Sequence, residues 1–372
     1  PSNSKVISAL QGLMCDKDFC TLYSLFMLAL ARRELSTCSF RLFIGEKPIL
    51  SVMNEDLSTK ATEEELKEAF VDEWGVKYSK DGRKLLRAPQ ELKGDYSVKE
   101  GTRIICDRAF GWCCSLSNIV IPDSVASIGK EAFLYCVLLK SISIPKSVIC
   151  LNGNPFVDWD GKLECLSPDF IYEDDVLFNE NKSKIISFRN KNIELYAIPD
   201  SVISIGDRAF SGYRSLSSIV IPNSVTSIGD RAFFCCPSLS SIVIPDSVTN
   251  IGEGAFSGCR SLSSIVIPNS VTSIEKGAFY YCSSLSSIVI PDSVTSIGDT
   301  TFANCHSLSS IVIPSSVTSI GKCAFFRCHS LSEIVIPSSV TSIGDRAFYK
   351  CKFPDNLKQE LISRFGDKIF SL

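Results

Sequence analysis

The sequence predicts an α/β chain wound as a right-handed parallel solenoid. It should have one β-sheet along one face, short helical or 3-10 turns elsewhere and helical caps at the ends. Three observations predict this. An Ile-Pro pair recurs at Pro222, Pro245, Pro268, Pro291, Pro314 and Pro337, each 23 residues after the last. A period of that length marks stacked supersecondary units, because no unit closes a core alone. Each copy carries a β-branched run, as in Ile242-Val243-Ile244, that reads as a strand. The cysteines follow the same phase, which ties them to the core of the coil.

One copy, LSSIVIPDSVTNIGEGAFSGCRS from Leu239, justifies each part of the coil. Alternation along the strand sends Ile242 and Ile244 inward, and Ser241 and Val243 outward. Pro245 has no N–H for a ladder, so the strand ends there and the chain turns. Val248 and Ile251 return to the core from the opposite wall, and Gly252 is expected to relax the backbone for a further bend. Ala255 and Phe256 fill the middle, and Cys259 and Leu262 complete the coil and lead into the next strand at Ile265. Strands one coil apart then pair in parallel, about 4.8 Å apart.

The pattern IPxSVTSIGxxAFxxCxSLxxI over residues 104–149 and 198–351 resembles the BspA-type leucine-rich repeat. The resemblance implies a curved leucine-rich-repeat solenoid used for adhesion or protein binding, of a class found mainly in bacterial surface proteins. It implies no catalytic residue.

Taken in order, residues 1–72 lack the repeat and read as an N-terminal helical capping segment. Leu22 to Leu30 is its apolar core, too short to span a bilayer and better placed as a helix on the solenoid end. Thr62-Glu-Glu-Glu65 is a capping box, from which a helix should run over 63–73 with Leu66, Ala69 and Phe70 on one side. The solenoid occupies 73–353. Residues 76–110 align with 176–210 at an offset of 100 without a gap, and Asp81-Gly82 between apolar runs signals a hairpin. Hairpins are therefore expected near 76–88 and 152–188, and the resemblance implies such interruptions. Asn152 to Asp175, acidic and irregular, reads as the loop that leaves the surface. Residues 354–372 form a C-terminal capping helix, with Asp355 opening it and Gly366 ending it.

Composition narrows function. The net charge of -3 offers no basic field for nucleic acid, and no span crosses a membrane. Of seventeen cysteines, Cys113, Cys136, Cys236, Cys259, Cys282, Cys305, Cys328 and Cys351 stand three residues after the repeat Phe, with Tyr213 in that place once. A position shared by thiol and aromatic ring is a core position, so free buried thiols are expected. Cys113-Cys114 and Cys235-Cys236 should each split inward and outward. No C-x-x-C occurs, and His306 and His329, one period apart, have no acidic residue or thiolate at their phase, so no metal or other cofactor is expected. The serines follow the repeat wording, and no His-Asp partner activates one. Asp207-Arg208 and Asp230-Arg231 read as solvated ion pairs.

Two surfaces remain as binding candidates. On the sheet face, Ser218, Ser241, Ser264, Ser287, Ser310 and Glu333 form one outward column, and Val220, Val243, Val266, Val289, Val312 and Val335 another. Such a strip marks an interface, or it is simply the unselected outcome of recent duplication. Between Phe and Leu, the loop edge offers Tyr213, Arg214, Arg260, Tyr280, Tyr281, His306, Arg327 and His329. The main expectation is a non-enzymatic adhesion or protein-binding module at a bacterial cell surface or secreted, with a host extracellular or bacterial surface protein as partner. The alternative is an intracellular, cytoplasmic scaffold, which free thiols suit. A hydrolase built on the 152–175 loop lacks a convergent acid, base or nucleophile set.

Overall fold

The computed structural model describes residues 56–371, and the expected helix at Leu22–Leu30 lies outside the described residues. From Leu57 onward the chain is one compact unit, and its coils stack through three parallel hydrogen-bonded ladders. The first is the expected sheet face, where Ser218–Val220 pairs with Ser241–Val243, and Ser264–Val266 with Ser287–Val289, residue for residue. Ile242 and Ile244 are buried and Val243 is 78% exposed. Pro245 ends the strand, and its carbonyl accepts the N–H of Val248 to close a turn.

The second ladder was not foreseen. Two-residue strands such as Ser204–Ile205, Ser227–Ile228 and Asn250–Ile251 pair in parallel on the opposite wall, where short helical turns were expected. After this strand comes Gly252, whose φ is not left-handed. Its reason is space, because a Cβ would meet the backbone N of Asp230 at 2.5 Å. The expectation that it relaxes a bend is therefore corrected to close contact between coils.

The third ladder runs along the Phe corner. Gly254, Phe256 and Gly258 donate their N–H groups to Lys276, Ala278 and Tyr280 of the next coil, while Ala255, Ser257 and Cys259 bond back three residues. This alternation holds two residues per coil at positive φ, two before and two after the Phe. Arg231, Cys235, Tyr281 and Arg327 adopt it as well as Gly254 and Gly258, a conformation that costs an L-residue roughly 1–2 kcal/mol. Inside the corner the Phe rings form a near-parallel column. Phe233, Phe256, Phe279 and Phe302 are 5.4 to 5.6 Å apart in succession.

The offset-100 duplication appears in the structure as two three-stranded antiparallel meanders. Phe70–Val71 pairs with Lys77–Tyr78, which pairs with Lys84–Arg87. Phe170–Glu173, Val176–Asn179 and Lys184–Phe188 repeat the arrangement, with the same bulge. Each meander then feeds a parallel ladder, Leu85 against Ile105 and Ile185 against Ile205. The second meander is a partition. Leu177 and Ile186 face the core formed by residues 76–163, while Val176, Phe178, Ile185 and Phe188 face the core that runs on to Ile369.

Three local expectations are corrected. The helix that opens at the Thr62 capping box, α1 (Glu63–Lys67), stops after five residues; Phe70 joins the meander, where it is half-exposed, while Leu66 and Ala69 pack on Leu86, Ile104 and Cys106. Residues 152–175 are not a surface loop. Phe156 stacks 6.0 Å from Phe133, buried Trp159 takes the place three residues on, and Lys162–Cys165 pairs in parallel with Ser141–Ile144. The coil therefore continues, and only the meander after it breaks the period. At the far end α2 (Asp355–Phe365) ends at Gly366 with φ +82, but its N-cap is Pro354, without a side-chain bond from Asp355. Leu361 and Ile369 are buried at that end.

Candidate binding surfaces

The repeat chemistry is best read from what each side chain satisfies. In most coils the serine of the turn donates to the preceding coil, as Ser247 Oγ to Val225 O at 2.6 Å, Ser293 to Val271 O at 2.6 Å, and Ser316 to Val294 O at 2.7 Å, although Ser224 and Ser339 make no such bond. The bonded hydroxyls are committed to backbone, so their abundance is structural. The thiols are committed too. Cys259 Sγ donates to Phe233 O at 3.2 Å, and Cys282 and Cys305 to Phe256 O and Phe279 O at 3.2 Å each. They are more than small apolar fillers, since each helps to satisfy a buried carbonyl. None of the fourteen described cysteines forms a disulfide, and burial pushes the thiols of Cys236, Cys282 and Cys328 up to about 12. Cys113 and Cys236 point inward, while Cys114 is half-buried and Cys235 exposed.

That phase explains Tyr213. Placed on the loop edge from sequence, it is instead 5% exposed, and its hydroxyl donates to Phe188 O. Phe188 O is the carbonyl of the ring one coil earlier, so Tyr213 does the work of the cysteine with a longer arm. It is removed from the edge candidates. Trp159 makes the same kind of bond, from Nε1 to Leu139 O at 2.7 Å.

The aspartates of the charge rows do not pair with their neighbouring arginines. Asp207 accepts the N–H of Asp230, Asp230 that of Glu253, and Asp299 that of Lys322, each one coil on. Arg208 instead places Nε 2.6 Å from Oε1 of Glu131, whose side chain is 1% exposed, and Arg108 places Nε 2.6 Å from Oε2. The contact to Arg208 lacks the alignment of a hydrogen bond. Two guanidiniums thus offset one buried carboxylate where the two modules meet. The sequence carried one signal for it, an acid at Glu131 in the position that holds arginine in other copies.

On the sheet face every Val of the predicted column is out. Val220 is 53% exposed, Val266 67%, Val312 71% and Val335 68%, and Val289 matches them at 66%. Ser241, Ser264, Ser287, Ser310 and Glu333 are exposed beside them, and Ser218 is half-buried. On the loop edge, Arg260 lies 5.1 Å over Tyr281, Tyr281 meets His306 edge-on at 5.9 Å, and His306 stacks on His329 at 5.3 Å. Tyr280 is 5.9 Å from Tyr281, and Arg214 and Arg327 are exposed. Among the described residues no group of three potential ligands is placed to hold a metal, and no helix is long and apolar enough to cross a membrane.

Comparison with known proteins agrees with this geometry. The model of the BspA type leucine rich repeat region matches in six copies, over residues 97–167, 184–309 and 295–372. Among solved structures, a leucine-rich repeat protein from Eubacterium ventriosum is similar at TM-score 0.59 and 24% identity, over 72% of this chain and 85% of that one, which shows the fold. A leucine rich cell surface protein from Faecalibacterium prausnitzii is 30% identical at TM-score 0.49, over 67% of this chain and 62% of that one. Pneumococcal vaccine antigen PcpA is 22% identical at TM-score 0.47, over 75% and 67%. No curated protein matches in sequence.

Proposed function

Because this chain belongs to the BspA-type leucine-rich-repeat family, we propose that it is a non-enzymatic protein-binding module. It engages an extended segment of a partner protein along the sheet face. The observation that carries this reading is the Val column, with side chains 53% to 78% exposed on successive, in-register coils. Apolar strips of this continuity favour a partner over water. Near-identity of the coils favours a long or repetitive partner, which sums weak contacts over several coils. The family resemblance supports adhesion at a bacterial surface as the setting.

The test compares the native protein with Val266→Lys and with Val243→Lys/Val266→Lys/Val289→Lys in pull-downs from extracellular matrix and bacterial surface extracts, with circular dichroism to confirm folding. The single lysine should weaken capture modestly and the triple variant abolish it, since charge must be desolvated on each coil. Unchanged capture by the folded triple variant refutes the sheet face. Loss on changing Tyr280, Tyr281 and His306 instead moves the site to the loop edge.

The second reading is an intracellular scaffold, which the absence of a disulfide among the fourteen described cysteines favours, because thiols stay reduced in the cytoplasm. Protease treatment of intact cells separates the two: digestion supports display, and protection supports the scaffold.

A further inference from the structure

On the face of the Phe corner that turns outward, the repeat is interrupted by a hollow of about 330 Å³. Its floor is Gly254 and Gly277, successive copies of the position two residues before the Phe. Both have φ +62, but Arg231 and Thr300, in the coils on either side, hold the same conformation at φ 53 and 54. Backbone geometry therefore does not require glycine here. Nor does crowding at Gly277, where a Cβ would meet nothing closer than Thr300 Oγ1 at 3.6 Å, whereas at Gly254 it would press on the Arg231 side chain, with Cγ at 3.2 Å. What two glycines achieve is the absence of two side chains.

The walls of the hollow are Phe234 and Tyr280, two coils apart, with only Ser257 between them. Adjacent rings in the neighbouring column are 5.4 and 5.6 Å apart. Rings two coils apart thus leave room for a planar group to lie between them, as offset stacking prefers. The rim is basic, with Arg208, Arg231 and Lys276 around the opening. Together with the groups paired to them, the cluster holds four cations, adding Arg108, and two carboxylates, Glu131 and Glu253. Glu131 is spent on Arg108 and Arg208 at 2.6 Å, whereas Glu253 is 3.6 Å from Arg231, a loose and half-exposed pair that an oxyanion can displace.

We propose that this hollow is a binding site for an aryl phosphate. The ring inserts between Phe234 and Tyr280 over the glycine floor, and the phosphate meets Arg231 and Lys276. The site is on the Phe corner, not on the sheet face, and does not depend on that face binding anything.

Calorimetric titration with phenyl phosphate tests it. Saturable binding is expected that weakens about ten-fold or more in Arg231→Gln, as loss of a charge-assisted contact requires. It should be lost in Gly277→Thr, which refills the floor with the residue the next coil carries at the same φ. Val266→Lys should bind as the native protein does. Inorganic phosphate should bind at least ten-fold more weakly than phenyl phosphate. A blocked phosphotyrosine peptide that binds at least as well as phenyl phosphate assigns the ligand to a protein chain, and weaker binding of the peptide assigns it to a free ester. Absence of saturation, equal binding of inorganic phosphate, or full affinity in folded Gly277→Thr overturns the proposal.

Discussion

Replacing Phe256 by alanine tests the stacking logic at its centre. The ring is 0% exposed and lies between Phe233 at 5.4 Å and Phe279 at 5.6 Å, tilted by 4° and 5°. Truncating a buried Phe costs roughly 3–5 kcal/mol. Two factors push this site toward the upper end. The variant loses ring contact on both sides, and the neighbouring coils cannot collapse into the void. Phe233 N–H is bonded to Ala255 O, and Phe256 N–H to Ala278 O, so the backbone fixes the spacing. Those bonds survive the substitution, as does the thiol of Cys282 on the carbonyl of residue 256, so the loss reports the side chain alone. Val243→Ser, at a position 78% exposed, should change stability by no more than about 0.5 kcal/mol. Urea unfolding of both variants measures the difference. Hydrogen exchange should show it as local, with amides of the coils at Phe233 and Phe279 losing protection before those at Phe348, because coils couple to nearest neighbours. Equal unfolding midpoints for the two variants, or a loss below about 1 kcal/mol in the first, would refute the inward and outward assignment.

The thiol ladder predicts that a denatured sample titrates nearly all seventeen cysteines as free, while in the native protein Cys235 leads the described ones in reactivity; disulfides between consecutive coils would contradict this. Because burial raises the folded thiols, with Cys236 and Cys282 near 12, the unfolded chain ionises first as pH rises. The thiols' stabilising contribution is full below about pH 8.5 and should be lost progressively above it, read as a falling melting temperature of the reduced protein. Glu131→Gln should cost about 3 kcal/mol, the low end for a broken buried pair, since Arg208 stays buried while Arg108, 56% exposed, returns to water. Adding Arg208→Met should recover part of that loss, and a single variant as stable as the native protein would show that the clamp is idle. Gly252→Ala should cost about 1–3 kcal/mol by forcing a Cβ against Asp230 N, measured by thermal unfolding; no change would mean that the coils can separate there.

Several features were determined by the chain alone. A 23-residue period with β-branched runs permits only a stack, and strand alternation decides which of Ile242, Val243 and Ile244 turns outward. The phase of Cys259 after Phe256 was enough to make it core, because periodic burial is a local consequence of winding. The same phase was readable further than the Ile-Pro pattern showed, since Pro168 follows Pro145, and Phe156 follows Phe133, by 23 residues. Other features needed contacts between coils. Gly252 looks like a flexible residue until Asp230 of the preceding coil is placed against it. Tyr213 looks like a surface ring until Phe188 O stands within reach. Glu131 meets Arg208, 77 positions later in sequence, only because a degenerate coil and a meander bring the second module against the first. Periodicity reports which way a side chain turns from its own backbone, whereas its partner is set by how the next coil lies. That placement belongs to the tertiary structure.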